Sequence, residues 1–458
     1  MQRMKHTCLV SGLSMNRCLL KALILFCGLT VVICFFYVRR TRLINNNSTD
    51  ILDRSHSRRH NETNPLNISP GKDSKEIVGN TRRPAGKKIF IAFDYWEQLT
   101  KATDNFLDLT ALAAYGGRHV VVPFVKDSKF YGSGIKKGFE TLALYFNVTA
   151  LNRTLLSRGH GTLISWGEFQ DVCKGQLDVL VHFDYTNLNQ TTTYSRGTRA
   201  FFPCKDRHKD TFRNFKVGTT ICMNVFALDS VEKFENEVVK RFPCVGLAQW
   251  RGSDNNCTFR TQFELSSVVR DHMRSHDNDI FFSSKLLRVA RDFIVKHLSP
   301  LFVSVHIRAE RILKFKIFRN ITAVYNCISN LTARVQTLQR FRNVSNAASI
   351  PVFLAADFVQ FGSSSSYVKP ARAKAKSLMA ILAPLKPVSF QPSSYNLTDR
   401  GAVAIVEMNI LASAKHLFVV GGGNFQEWVV KQFLHKNNIE QSSAVKCRSE
   451  QCNNFCFF

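Results

Sequence analysis

Three short segments hold residue types able to bind or move charge. LFVSVHIR (301–308) is an apolar run ending in His306-Ile307-Arg308. Strand alternation puts His306 and Arg308 on one side and Ile307 on the other. A guanidinium forks onto phosphate, and an imidazole beside it can donate to the same group. A satisfied histidine next to a surface ion pair fits the same spacing. PVFLAAD (351–357) ends in Asp357, whose carboxylate can take two N–H donors from a base edge, hold a ribose hydroxyl or cap a helix. Gly421 to Phe425, GGGNF, joins a strand to a helix. Such glycines let backbone close on phosphate at a helix N-terminus, or simply make a tight turn.

Other acidic groups are less defined. Asp94, Glu97, Asp104 and Glu310 are each candidates for a general base, and none stands out. Asp277-Asn278-Asp279 has the D-x-D form of metal-dependent sugar transferases. It follows the polar run RDHMRSH and opens an amphipathic stretch, so helix capping accounts for it better than metal binding.

The elements that must position these groups alternate. KKIFIAF (87–93) reads as a buried parallel strand, DNFLDLTALAAYGG (104–117) as a helix closed by glycine, and RHVVVPFV (118–125) as the next strand. Together they make a βαβ unit. GTLISW (161–166) and LDVLVHF (177–183) are further strands. A second series follows: a helix at 281–298, strands at 301–308 and 349–357, a helix at 403–415, a strand and turn at 416–423, and a last helix at 425–436. Two such series in 458 residues predict an α/β chain with two doubly wound, Rossmann-like lobes facing a cleft, with ligands beyond the carboxyl ends of the strands.

Composition and address narrow the setting. Hydrophobic residues at 45% and charged residues at 21% exclude a disordered or fibrous chain. Lys+Arg 62 against Asp+Glu 34 gives 62 − 34 = +28, an attraction for something acidic. Residues 22–38, ALILFCGLTVVICFFYV, are uncharged and flanked by Lys21 and Arg39-Arg40; at about 1.5 Å per residue they are just long enough for a bilayer core. No cleavage site follows, which predicts a retained N-terminal transmembrane helix. Flanking charge leaves orientation open, but N-glycosylation sequons at Asn46, Asn47, Asn61, Asn67, Asn147, Asn152, Asn189, Asn256, Asn320, Asn330, Asn343 and Asn396 all follow the anchor. The expectation is a single-pass type II protein of the Golgi or endoplasmic reticulum membrane, its body lumenal. There, nucleic acid is no partner and scattered cysteines form disulfides. The layout expected is a cytoplasmic tail (1–21), anchor (22–38), polar stem (39–86), N-terminal lobe (87–275), C-terminal lobe (276–446) and Cys-rich tail (447–458).

In this order the motifs resemble those of the GDP-fucose protein O-fucosyltransferase superfamily. TKATDNFLDLTALAAYGGRHVVVPFV is similar to its first βαβ unit, and ISWGEF (164–169) to a strand leading into an acidic-Phe turn. VSVHIRAE resembles its His-x-Arg strand, VFLAAD a later strand ending in Asp, and EMNILASAKHLFVVGGGNF its C-terminal nucleotide loop. The likeness runs over residues 87–433. It implies a GT-B fold, a GDP-fucose donor without metal or other cofactor, and inverting transfer to a hydroxyl of a protein or glycan acceptor. By position, Arg308 would bind the diphosphate and offset charge on the leaving group, with His306 holding the donor. Asp357 would read guanine, Gly423 and Asn424 would meet phosphate, and Phe425 would pack on the base. The family's Gly-Asn-Gln loop before the first helix aligns with Thr100-Lys101-Ala102, leaving Lys101 and Asn105 as donor-binding candidates. Its acid four residues beyond the arginine aligns with Ile312, so nearby Glu310 joins Arg308 and His306 as a catalytic candidate. These departures keep open a catalytically inactive, lectin-like or scaffolding relative, or a transferase of another nucleotide sugar.

Overall fold

A strand of unbroken apolar residues is stable only when both its faces are covered, and the chain solves this with parallel sheets. In the computed structural model the described residues are 87–95, 97–132, 138–184, 201–202, 215–224, 231–252, 281–298, 301–308, 321–343, 350–357, 372–439 and 455–457. The expected tail, anchor and stem (1–86), Glu310, Asp277–Asp279 and the sequons at Asn46, Asn47, Asn61, Asn67, Asn189, Asn256 and Asn320 lie outside them. Among the described residues no helix is long and apolar enough to cross a membrane.

The first sheet contains β1 (Lys88–Ala92), β2 (Arg118–Val121), β6 (Leu163–Ile164), β7 (Gln176–Asp184), β8 (Phe201–Phe202), β9 (Lys216–Asn224) and β10 (Cys244–Ala248), in the order β6-β2-β1-β10-β7-β9-β8. All its pairings are parallel except β8 with β9. The second sheet orders β12 (Val352–Ala356), β11 (Val303–Ile307), β13 (His416–Val420) and β14 (Phe455–Phe457), with only β14 antiparallel. A small antiparallel sheet joins β4 (Lys129–Tyr131), β3 (Phe124–Lys126) and β5 (Glu140–Thr141). The helices are α1 (Leu99–Tyr115), α2 (Val148–Ser157), α3 (Trp166–Cys173), α4 (Ser284–His297), α5 (Ile321–Asn343), α6 (Arg372–Leu382), α7 (Arg400–Ala412) and α8 (Asn424–Lys436). The fold is thus mixed α/β built on parallel sheets.

Several boundaries moved for physical reasons. The strand expected over 118–125 is two strands, because Pro123 has no N–H for the ladder and the chain turns from the first sheet into the small one. Helix α1 starts five residues before the expected Asp104; its Leu99 N–H is held by the Ser128 carbonyl at 2.7 Å, a tertiary contact that supports the extra turn. ISWGEF is a two-residue strand followed by α3. There Ser165 accepts from the Glu168 N–H at 3.1 Å and Glu168 accepts from the Ser165 N–H at 3.0 Å, a reciprocal capping box. The central strand β10 was not expected at all.

One apolar cluster runs from Phe90 and Phe106 on the first sheet to Phe353, Val419 and Phe433 on the second, and two smaller clusters cover the other face of each sheet. Residues 82–458 accordingly form one compact unit. A disulfide, Cys173–Cys244, ties α3 to β10 across a sequence separation of 71.

Candidate functional site

In the second sheet the chain passes from β11 to β12 on one side and then crosses to β13 on the other. Such a crossing opens a crevice at the carboxyl ends of the central strands. Register pairs Ile307 with both Ala356 and Val420, so Arg308, Asp357 and Gly421 follow at one level on neighbouring strands. The sequence motifs therefore meet at one sheet edge.

Arg308 is half-buried there. Its N–H donates to the Val420 carbonyl at 2.9 Å, and its guanidinium reaches the Gly422 carbonyl at 3.4 Å. The glycine run is required by geometry. Gly421, Gly422 and Gly423 all have positive φ, and a Cβ on Gly421 would lie 2.9 Å from the Arg308 Cβ. Arginine and loop are one packed unit, and the loop delivers the chain directly into α8.

His306 is buried on β11. The Gln426 side-chain nitrogen lies 2.7 Å from His306 Nδ1 and 2.8 Å from the Val420 carbonyl oxygen. A carbonyl only accepts, so this atom is the amide donor, and Nδ1 must be the acceptor. The ring is then neutral with its proton on Nε2. Burial, with Arg308 nearby, pushes the imidazole down to about 3, consistent with that tautomer. The Phe425 ring sits 5.2 Å from the imidazole.

Asp357 follows β12, half-buried, near Glu407 of α7. Burial first, and the Asp357 carboxylate second, push Glu407 up to about 8. Glu407 is thus held protonated near neutrality and can donate.

The first sheet meets this edge through α1. Asn424 donates from Nδ2 to Asp104 Oδ2 at 2.9 Å, linking the first turn of α8 to α1. Lys101 is half-buried one turn before Asn105. Asn105 is wholly buried, its carbonyl accepting the Trp250 indole N–H at 2.7 Å, and Gly252 packs against it closely enough that a Cβ would lie 3.0 Å from Oδ1. Asp94 closes β1 at the crossing point of the first sheet, between β1 and β10. Its side chain is exposed, and its Oδ1 accepts the Gln249 N–H at 2.7 Å. Among the described residues no group of three His, Cys, Asp or Glu is placed to hold a metal ion.

Gln426 and Glu407 were not expected from sequence. Each is a polar residue in a helical apolar stripe, Gln426 with Val429 and Phe433, and Glu407 within VAIVEMNIL. That mismatch is the signal that would have found them.

His306, buried, and Glu407, half-buried, act on stability in opposite directions. His306 falls from 6.5 unfolded to about 3 folded, so stability rises with pH across that window. Glu407 rises from 4.5 to about 8, so its contribution is complete below 4.5 and lost as pH climbs to 8. Between 4.5 and 6.5 they offset each other, and from 6.5 to 8 the Glu407 loss stands alone, with a limiting slope of about 1.4 kcal/mol per pH unit. Urea midpoints against pH should show this alkaline fall in the native chain and lose it in Glu407→Gln. An unchanged fall in that variant would remove Glu407 as its source.

No family model matches the chain, and no curated protein matches it either. Solved structures of POFUT1 align at low similarity. The complex with GDP-fucose (crystal-form-II) gives a TM-score of 0.44 at 12% identity, covering 78% of this chain and 97% of that one. The complex with GDP (high-resolution dataset) gives 0.44 at 12%, covering 78% and 96%. The apo form (crystal-form-I) gives 0.42 at 13%, covering 78% and 98%. The structural relationship is distant.

Proposed function

We propose that the chain is an inverting glycosyltransferase of GT-B type that moves fucose from GDP-fucose to a hydroxyl of a protein or glycan acceptor. In this reading the body sits in the lumen of the Golgi or endoplasmic reticulum behind a type II anchor. The observation that carries it is the packed unit of Arg308 and the Gly421–Gly423 loop at the crossing point of the second sheet. A fixed cation beside open backbone and a helix N-terminus suits a diphosphate, and the surrounding motifs resemble those of GDP-fucose enzymes.

Arg308 stabilises the charge that grows on the diphosphate as the sugar–oxygen bond breaks. His306 is neutral and serves as an Nε2 hydrogen-bond donor, oriented by Gln426, not as an acid. Asp357 and Glu407 offer a base edge one acceptor and one protonated carboxyl. Asn424 has one amide N–H committed to Asp104, which leaves its second amide N–H and its backbone N–H for phosphate. Asp104 is buried, whereas Asp94 is exposed at the end of β1, which makes Asp94 the better placed of these two carboxylates to take a proton from an acceptor hydroxyl.

Titration with GDP, GDP-fucose, UDP and UDP-sugars, with and without EDTA, tests the donor. The thermal midpoint should rise for the GDP ligands alone and keep that rise in EDTA, the stabilisation behind it being about 2.7 kcal/mol at a hundredfold excess over Kd. A rise that needs metal, or one led by UDP ligands, would sink the reading. Binding without transfer or donor hydrolysis would favour the inactive relative, for which the Asn424–Asp104 bond is the supporting observation.

A further inference from the structure

Four sequons, at Asn147, Asn152, Asn330 and Asn396, have both their asparagine and their threonine among the described residues, and they are not equivalent. Asn152 is half-buried, and its Oδ1 accepts the Leu163 N–H at 2.9 Å, so the side chain is built into the edge of the first sheet. Asn330 is exposed on α5, but the Thr332 that completes its sequon is buried, donating to the Ile328 carbonyl at 2.9 Å. Asn147 is exposed, yet its Oδ1 caps α2 by accepting from the Ala150 N–H at 3.1 Å. Asn396 differs from all three. It is exposed at the end of the short 3-10 helix Pro392–Tyr395, in left-handed backbone at φ 53, and its side-chain amide makes no hydrogen bond among the described residues.

The neighbours of Asn396 hold the sequon outward. Leu397 is buried and anchors the segment, while Asn396 and Thr398 on either side are both exposed. Asp399 then fixes the exit. Its Oδ1 accepts from the Tyr145 hydroxyl at 2.6 Å and from the Ala402 N–H at 2.9 Å, and its Oδ2 accepts from the Asp127 N–H at 2.6 Å. Acceptor amide and hydroxyl thus stand on a rigid outward arch, where a bulky sugar displaces no packed atom.

We infer that Asn396 is an N-glycosylation site of the folded chain and that Asn152 is not. The inference rests on the lumenal placement proposed above. In the transfer, Asn396 Nδ2 bonds to C1 of an oligosaccharide carried on a polyisoprenyl pyrophosphate. The C1–O bond to pyrophosphate breaks, the lipid pyrophosphate leaves, and the amide loses one proton.

The full chain, expressed in a eukaryotic secretory cell, is deglycosylated enzymatically in heavy-oxygen water, and the labelled aspartates are mapped by mass spectrometry. Label is expected at 396 and none at 152. Both Asn396→Gln and Thr398→Ala should raise gel mobility by one glycan. The second keeps the asparagine, so agreement between them rules out misfolding of the first as the cause. Label at 152, or none at 396 while other sequons are labelled, overturns the inference alone. No label at any sequon overturns the inference and the lumenal placement together.

Discussion

Arg308→Ala is expected to lower sugar transfer about 100- to 1,000-fold in kcat, the usual cost of removing one group that stabilises transition-state charge. The chain should still fold, because the contacts that fix this position are largely made by the backbone. Its N–H stays on the Val420 carbonyl, and the side chain is only half-buried. The guanidinium reaches the Gly422 carbonyl at 3.4 Å, a long contact whose loss costs little. Arg308→Lys should recover only part of the rate, since an ammonium keeps the charge but loses the fork that matches two phosphate oxygens. Donor hydrolysis and transfer, measured beside the thermal midpoint, separate the possibilities. Near-normal turnover in Arg308→Ala would take Arg308 out of the chemistry. A collapse of the midpoint would make its role structural.

The reason this arginine could be read from sequence is that its neighbours are local. VSVHI, VFLAA and HLFVV are mostly apolar runs, followed by Arg308, Asp357 and Gly421, and parallel strands put those following residues at one edge. What stayed hidden was pairing over distance. Gln426 meets His306 across 120 residues, Tyr145 meets Asp399 across 254 and Asn424 meets Asp104 across 320. No periodicity encodes such contacts. The Asn424–Asp104 bond ties α8 to α1, a link between two motifs that neither motif alone announces. Strand β10 escaped for another reason. CVGLA is short and holds a glycine, which in isolation speaks against a strand. In the sheet a Cβ on Gly246 would lie 2.7 Å from Leu177 and 2.8 Å from Phe93, so side chains from both sides occupy the space that glycine leaves.

The first strand after α1 carries the largest expected effect on stability. Arg118 opens β2 almost wholly buried, with its guanidinium 4.7 Å from the Phe90 ring centroid. Its Nε donates to Glu235 Oε2 at 2.8 Å and one terminal nitrogen to Oε1 at 2.8 Å. The remaining donors reach the carbonyls of Phe242 at 2.8 Å and Val239 at 2.7 Å. Glu235 is buried as well, packed against Gly116, where a Cβ would strike its carboxylate. Glu235→Ala leaves a guanidinium in the interior without its counter-charge, and the expected loss is about 3–5 kcal/mol. Replacing both partners with apolar residues of similar volume, Arg118→Met with Glu235→Leu, should recover most of that loss, because the cost lies in the orphaned charge more than in the missing bond. Urea unfolding of the single and double variants measures the difference. If the double variant is as unstable as Glu235→Ala, the carbonyl bonds of Arg118, not its pairing with Glu235, hold the βαβ unit together.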